Sequence, residues 1–196
     1  MLKIERDKLL VAVVLTLVIS IDMLNTSMLG PVLPRIPTII PFLGVVFLGV
    51  RFLYIKQYSL TFLLFAPLLF LVGCLIYYKT GNLNACMFIF MIIFLYRVEF
   101  ESVLKLYVGL GLFFVLLIVL LSKIGIIANL QFIQYRSAGI IVRNSFGFIY
   151  PTDFASHCFY LYMAFSYLNR KRFIILRTLF GLALAGFIIK YCDARL

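Results

Sequence analysis

The run LYVGLGLFFVLLIVLL, from Leu106 to Leu121, decides the fold class of this chain. No charged residue interrupts it, and a helix needs roughly 20 mainly apolar residues to cross a bilayer core about 30 Å thick. A helix also satisfies its own backbone hydrogen bonds, which lipid cannot do. The run therefore predicts a membrane-spanning helix, and comparable runs lie on both sides of it.

The composition of the whole chain supports the same class. Of its 196 residues, 65% are hydrophobic, and the mean hydropathy is +1.14. A soluble domain of this size could not build a polar exterior from such a sequence, and the period-two alternation of a membrane barrel is absent. We predict an all-α integral membrane protein with about seven transmembrane helices.

These predicted spans form a single polytopic domain over residues 1–196. They cover, in order, residues 9–29, 36–54, 60–78, 83–96, 106–121, 151–168 and 173–191. The long connection, residues 122–150, is too apolar for a water-soluble loop, and its apolar part is too short to span. We expect it to lie along the interface or to re-enter the protein.

The basic residues predict the orientation. The net charge of +11 would suggest a nucleic-acid surface in a soluble protein, but these residues lie between apolar runs, so no nucleic-acid partner is expected. Eleven of the 18 basic residues fall on the side of the N-terminus, which favours a cytoplasmic N-terminus. The connection over residues 122–150 then faces outward.

The sequence lacks the motifs of several kinds of chemistry. The four cysteines show no Cys-x-x-Cys spacing and the chain has one histidine, so we predict packed free thiols, no metal and no other cofactor. Neither a His-Glu-x-x-His nor a Gly-x-Ser-x-Gly hydrolase motif occurs, and no phosphate-cradling loop occurs. Asp22 is the one acidic residue deep in a predicted span, where it faces either a wet bundle interior or the interface.

Polar residues concentrate between Gln134 and His157. This segment contains Arg136 and Arg143, and then Asp153 and His157, four residues apart on a helix that begins at Pro151. One helical face carries a polar stripe of Asp153, Ser156, His157, Tyr160 and Tyr167. Either the stripe is an interhelical hydrogen-bond seam and the arginines are interfacial anchors, or the segment forms a site.

The stretch Arg143-Asn-Ser-Phe-Gly-Phe-Ile-Tyr-Pro151 resembles the Wzy-type polysaccharide polymerases of bacteria. Many of these have histidine where this chain has Tyr150 and asparagine where it has Thr152. Tyr191-Cys-Asp-Ala-Arg195 is similar to a second family element, with Ala194 in place of serine. The resemblance covers roughly residues 100–196. Because family members are about twice as long, it implies an N-terminal portion that is inactive by itself.

The resemblance implies an activity. It is the polymerisation of undecaprenyl-pyrophosphate-linked oligosaccharide repeat units into a capsule or exopolysaccharide at the outer face of the bacterial plasma membrane. Asp153 and His157 would be catalytic proton acceptors, and the substrate would be bound by Arg136, Arg143, Tyr150 and Arg195. Guanidinium groups would stabilise the pyrophosphate without a metal.

The implied partners are the lipid-linked oligosaccharide, membrane lipid, a chain-length regulator and other polysaccharide assembly proteins. Two alternatives stay open from the residues. One is an O-antigen-ligase-like transferase, and the other is a small transporter or flippase subunit.

Overall fold

A computed structural model describes residues 2–30, 39–55, 57–81, 83–136 and 139–193, without the side chains of residues 2–7, 39, 84 and 136. The described helices and strands are, in chain order, α1 (Leu2–Asn25), α2 (Ile39–Leu53), α3 (Leu60–Thr80), α4 (Leu83–Phe94), α5 (Phe100–Lys123), β1 (Gln131–Arg136), β2 (Gly139–Asn144), α6 (Pro151–Leu168) and α7 (Ile174–Cys192).

The helices support a membrane protein but not seven spans. Four of the described helices are long and apolar enough to cross a bilayer, and they cover Lys8–Asn25, Leu60–Thr80, Phe100–Lys123 and Ile174–Cys192. Helices α2 and α4 have 15 and 12 residues, which gives lengths of only about 22 and 18 Å. Helix α6 is not among the four, because Thr152, Asp153, Ser156 and His157 in its first two turns lower its mean hydropathy.

The structure fits the predicted all-α membrane class, and it adds one pair of strands that the sequence did not predict. Within residues 122–150, β1 and β2 form an antiparallel hairpin in which Phe132 faces Arg143 and Tyr135 faces Ile140. On one face of this hairpin the apolar side chains are exposed, and they belong to Ile133, Tyr135, Ile140 and Val142. The two strands satisfy some of each other's backbone N–H and C=O groups. In an irregular connection beside lipid, these groups would lack hydrogen-bond partners.

The contacts of the chain divide it into two compact units. The first contains Met1–Val18 and Pro37–Glu99, and the second contains Ile19–Ile36 and Phe100–Leu196. In the first unit, α4 packs against both α2 and α3. Small residues permit this approach, because a Cβ atom at Gly49 would lie 3.2 Å from the Phe94 ring and one at Gly73 would lie 3.2 Å from the Phe90 ring.

The second unit contains the polar segment and has its own core. Helix α6 packs between α5 and α7, and fully buried Phe148 lies at the centre of an apolar cluster with Phe154 and Ile118. The end of α1 joins this cluster through Met23. The side chains before and within α6 are therefore held by packing on three other elements.

Backbone hydrogen bonds fasten the end of α1 to the turn that precedes α6. Met28 N donates to the Gly147 carbonyl and Ile149 N donates to the Thr26 carbonyl, each at 2.9 Å. We call this pair of bonds, together with the bridge between Ser27 and Phe148, the backbone clamp. It fixes the chain immediately before α6, and it requires Gly147 to adopt a φ of +89°.

We predict that Gly147→Ala lowers the free energy of unfolding by about 2 to 4 kcal/mol, because overpacking adds to the strain of a positive φ. A Cβ atom at Gly147 would lie 2.9 Å from Ser122 Cβ and 3.0 Å from the Ile118 carbonyl oxygen. Gly125→Ala is the matched control, since Gly125 has a φ of +80° and nothing within 4 Å of such a Cβ. It should cost about 1 kcal/mol, from backbone strain alone. Unfolding in detergent measures both variants, and equal losses would contradict the packing argument.

Candidate functional site

His157 lies in the second turn of α6 and is held by a residue far away in the chain. Its imidazole is 9% exposed, its Nε2 lies 2.9 Å from Thr26 Oγ1, and its ring centre lies 5.3 Å from that of Phe148. The backbone clamp positions both Thr26 and Phe148. His157 is thus oriented by groups that its own helix does not supply.

The hydrogen bonds of Thr26 favour one tautomer of His157. The Thr26 hydroxyl donates to the Asp22 carbonyl at 2.9 Å. Because a hydroxyl carries one hydrogen, a Thr26 hydroxyl that donates to this carbonyl accepts from the histidine, and in that arrangement Nε2 carries the imidazole proton. In the neutral ring this leaves Nδ1 with a lone pair, so Nδ1 is the nitrogen that can accept a proton.

Asp153 lies in the first turn of the same helix. Its Oδ2 accepts a hydrogen bond from Tyr150 N at 3.2 Å, so the carboxylate caps the helix at the end where the dipole favours negative charge. It is half-buried and within electrostatic range of His157. Asp153 therefore has a structural role as a cap, and it also places a second proton acceptor beside the histidine.

Helices α1 and α5 contribute further polar residues next to Asp153 and His157. The Asp22 carboxylate, on α1, lies within electrostatic range of Asp153 and of Tyr107 on α5. We call Asp22, Thr26, Tyr107, Asp153 and His157 the polar cluster. Its members lie on α5, on α6 and at the C-terminal end of α1, all within the second unit, and Asp22 is exposed.

Sequence reasoning missed Thr26 and Tyr107. Thr26 is 131 positions from His157, and no periodicity connects residues at such a separation. A hydroxyl at the end of a span and a tyrosine within one are common features of membrane helices. The cost of a carboxylate in hydrocarbon did single out Asp22, and the exposed position of its side chain agrees with the interfacial alternative.

Arg143 is positioned by α7 and not by the polar cluster. Its Nε donates to the Cys192 carbonyl at 2.7 Å, which satisfies a backbone acceptor at the end of that helix. Among the residues that the structure describes, its two terminal nitrogens have no hydrogen-bond partner. Opposite Arg143 in the hairpin is Phe132, whose ring centre lies 5.8 Å from that of Tyr150.

The remaining predicted substrate-binding residues are only partly visible. Tyr150 is the residue before α6, and its side chain is 54% exposed. Arg136 ends β1, but its side chain lies outside the described residues, and so does Arg195. The structure therefore brings Asp153 and His157 together, places Tyr150 next to them, and connects Arg143 to Tyr150 through Phe132.

All four cysteines have free thiols, and Cys74 is exposed, so the prediction of packing is wrong for that residue. In the described part of the chain, no three His, Cys, Asp or Glu side chains are grouped so that they could hold a metal ion. No protein family, curated protein or solved structure matches the chain.

We predict that His157 is protonated on Nε2 when neutral. Because the chain has one histidine, ¹⁵N labelling of histidine in micelles gives ring signals from His157 alone. Thr26→Ser keeps the hydroxyl and should preserve these signals. Thr26→Val removes the acceptor and should let the ring populate both tautomers, with a loss of about 1 kcal/mol of stability. A ring protonated on Nδ1 in the unmodified protein would overturn the assignment.

Proposed function

We propose that the chain takes part in polymerising undecaprenyl-pyrophosphate-linked oligosaccharide repeat units into a surface polysaccharide at the outer face of a bacterial plasma membrane. The observation that carries the proposal is the pair of proton acceptors at the N-terminal end of α6, of which His157 is oriented by Thr26 at 2.9 Å. The likeness of residues 143–151 to the Wzy-type polymerases supports the same function.

The proposed reaction uses these groups in a defined way. A hydroxyl of the acceptor repeat unit attacks the anomeric carbon of the growing chain and gives its proton to His157 Nδ1 or to Asp153. The bond from that carbon to the pyrophosphate oxygen breaks, and undecaprenyl pyrophosphate leaves with the electron pair. A positioned general base of this kind contributes about 10²- to 10⁴-fold to the rate.

Arg143 is the proposed partner of the leaving group. The charge that develops on pyrophosphate is best met by fixed donors that need no reorganisation during the reaction. The Nε bond to the Cys192 carbonyl holds the guanidinium in place, and two nitrogens remain for phosphate oxygens. The N-terminal end of α6 adds a partial positive charge. Tyr150, Arg136 and Arg195 complete the proposed substrate contacts.

The proposed topology has seven spans and a cytoplasmic N-terminus, on the distribution of the basic residues. Helices α2, α4 and α6, which are short or polar, would cross with the support of neighbouring helices. The polar cluster and the hairpin would then face outward. The exposed apolar face of the hairpin suits a position at the lipid interface, and a chain-length regulator would meet the protein on this side.

We predict that His157→Gln and Asp153→Asn each reduce polymer formation by about 100-fold or more, because each removes a proton acceptor and keeps nearly the same volume. The measurement is the length distribution of surface polysaccharide in a deletion strain supplied with each variant of the full-length protein. Thr152→Ala, at an exposed neighbouring position of α6, is the control and should leave the polymer unchanged.

The same strains distinguish the alternatives. A polymerase defect leaves single lipid-linked repeat units on the outer leaflet, whereas a flippase defect leaves them on the inner leaflet. A ligase defect leaves full-length chains on the lipid without transfer to their acceptor. Wild-type polymer from both variants would refute the assignment of Asp153 and His157.

We predict that Arg143→Lys lowers polymer formation by roughly 30- to 150-fold. A lysine ammonium cannot bond the Cys192 carbonyl and at the same time make a bidentate hydrogen bond to a phosphate. The melting temperature in detergent should fall by only a few degrees, since the lysine ammonium can still donate one hydrogen bond to the Cys192 carbonyl. Arg97→Lys, at an exposed position, is the control for the exchange itself. Normal polymer formation together with a strongly lowered melting temperature would show that Arg143 has a structural role only.

A further inference from the structure

A groove of about 590 Å³ lies within the second unit and runs along α6 from Cys158 to the connection that follows the helix. Helices α5, α6 and α7 form its walls, and the side chains along most of its length are apolar, including Val108, Leu112, Val115, Leu161, Phe180 and Leu184. A cavity of this size falls in the range of specific ligand sites.

Charge is confined to one end of the groove. Asn169, Arg172 and Arg177 line it there, beside the connection between α6 and α7, which we call the basic turn (residues 169–173). Arg177 donates through Nη1 to the Ser166 and Asn169 carbonyls at 3.0 and 3.2 Å, so it is anchored to the end of α6. Arg170 is paired with Glu101 at 2.9 Å.

Arg172 is the cation left for a ligand. Its side chain is exposed, and within the described ranges it makes neither an ion pair nor a side-chain hydrogen bond. A guanidinium at the end of an apolar channel is complementary to a ligand with a phosphate at one end and hydrocarbon behind it.

The length of the groove matches one leaflet of a membrane. From Phe173 to Leu184, α7 rises about 17 Å, and half of a bilayer core is about 15 Å. The groove is also open toward the side, since Leu112, Phe165 and Phe180 are 51%, 44% and 55% exposed. A chain lying in the surrounding lipid can therefore enter laterally, without crossing the basic turn.

We propose that this groove binds an anionic phospholipid of the adjacent leaflet, with its phosphate on Arg172 and an acyl chain between α5, α6 and α7. The phosphate-binding end of this groove is separate from the proposed reaction, because the basic turn and the polar cluster lie at opposite ends of α6. Failure of one proposal therefore leaves the other standing.

The chain contains no tryptophan, so a single Phe→Trp variant reports on one place. Phe165→Trp puts the reporter in the groove, and Phe113→Trp is the matched control at a site that is 58% exposed and outside it. The purified full-length protein is placed in bilayers that mix phosphatidylglycerol and phosphatidylcholine with identical chains. Either lipid carries bromine on those chains, which quenches nearby tryptophan.

We expect Phe165→Trp to show about a tenfold preference for phosphatidylglycerol, and Phe113→Trp to show almost none. Adding Arg172→Gln should remove the preference at Phe165→Trp, whereas adding Lys190→Gln, at the far end of α7, should not. If Phe165→Trp does not fold, Phe180→Trp reports from the same groove.

Three results would overturn the proposal. The first is the same preference at both reporters, which would indicate general accumulation of anionic lipid at a basic surface. The second is a preference that survives Arg172→Gln. The third is release of brominated phosphatidylglycerol by undecaprenyl phosphate more effectively than by an equal amount of unlabelled phosphatidylglycerol, which would assign the groove to an isoprenoid lipid.

Discussion

The backbone clamp between residues 26–28 and 147–149 is the constraint on which the second unit depends. Beside lipid, each backbone N–H and C=O must find a partner within the protein. The turn before α6 finds its partners at the end of α1, through Met28 N and Ile149 N. Because Thr26 belongs to the same short segment, the bonds that satisfy the backbone also bring its hydroxyl to His157. Structure and candidate chemistry therefore share one set of contacts.

Three arginines donate hydrogen bonds to backbone carbonyls at the C-terminal ends of helices. Arg51 Nη1 lies 3.3 and 3.4 Å from the Phe94 and Tyr96 carbonyls after α4, Arg177 bonds the carbonyls at the end of α6, and Arg143 bonds the end of α7. The last carbonyls of a helix lack intrahelical donors and carry a partial negative charge. In a chain this apolar, long cationic side chains supply those donors where polar loops are scarce.

The two ends of α6 consequently present different chemistry. Its N-terminal end contains acidic and imidazole groups with a partial positive dipole, and its C-terminal end lies beside the basic turn and the apolar groove. A helix of 18 residues separates the two by about 27 Å, close to the thickness of a bilayer core. That separation is what the two proposals require, with a polar site at one end of the helix and a lipid contact at the other.

The sequence by itself determined the class of protein, the position of its helices and the polar segment that stands out from them. Each of these is a local property, since a run of apolar residues forms a helix beside lipid whatever its neighbours are, and Pro151 starts α6 as its position predicts. The hairpin at residues 131–144 was missed, because its strands are stabilised by pairing with each other and by packing on α7. Tertiary structure alone decided that Thr26 meets His157 and that Arg143 bonds the end of α7, because contacts between residues far apart in the chain depend on how the helices pack and leave no periodic signal in the sequence.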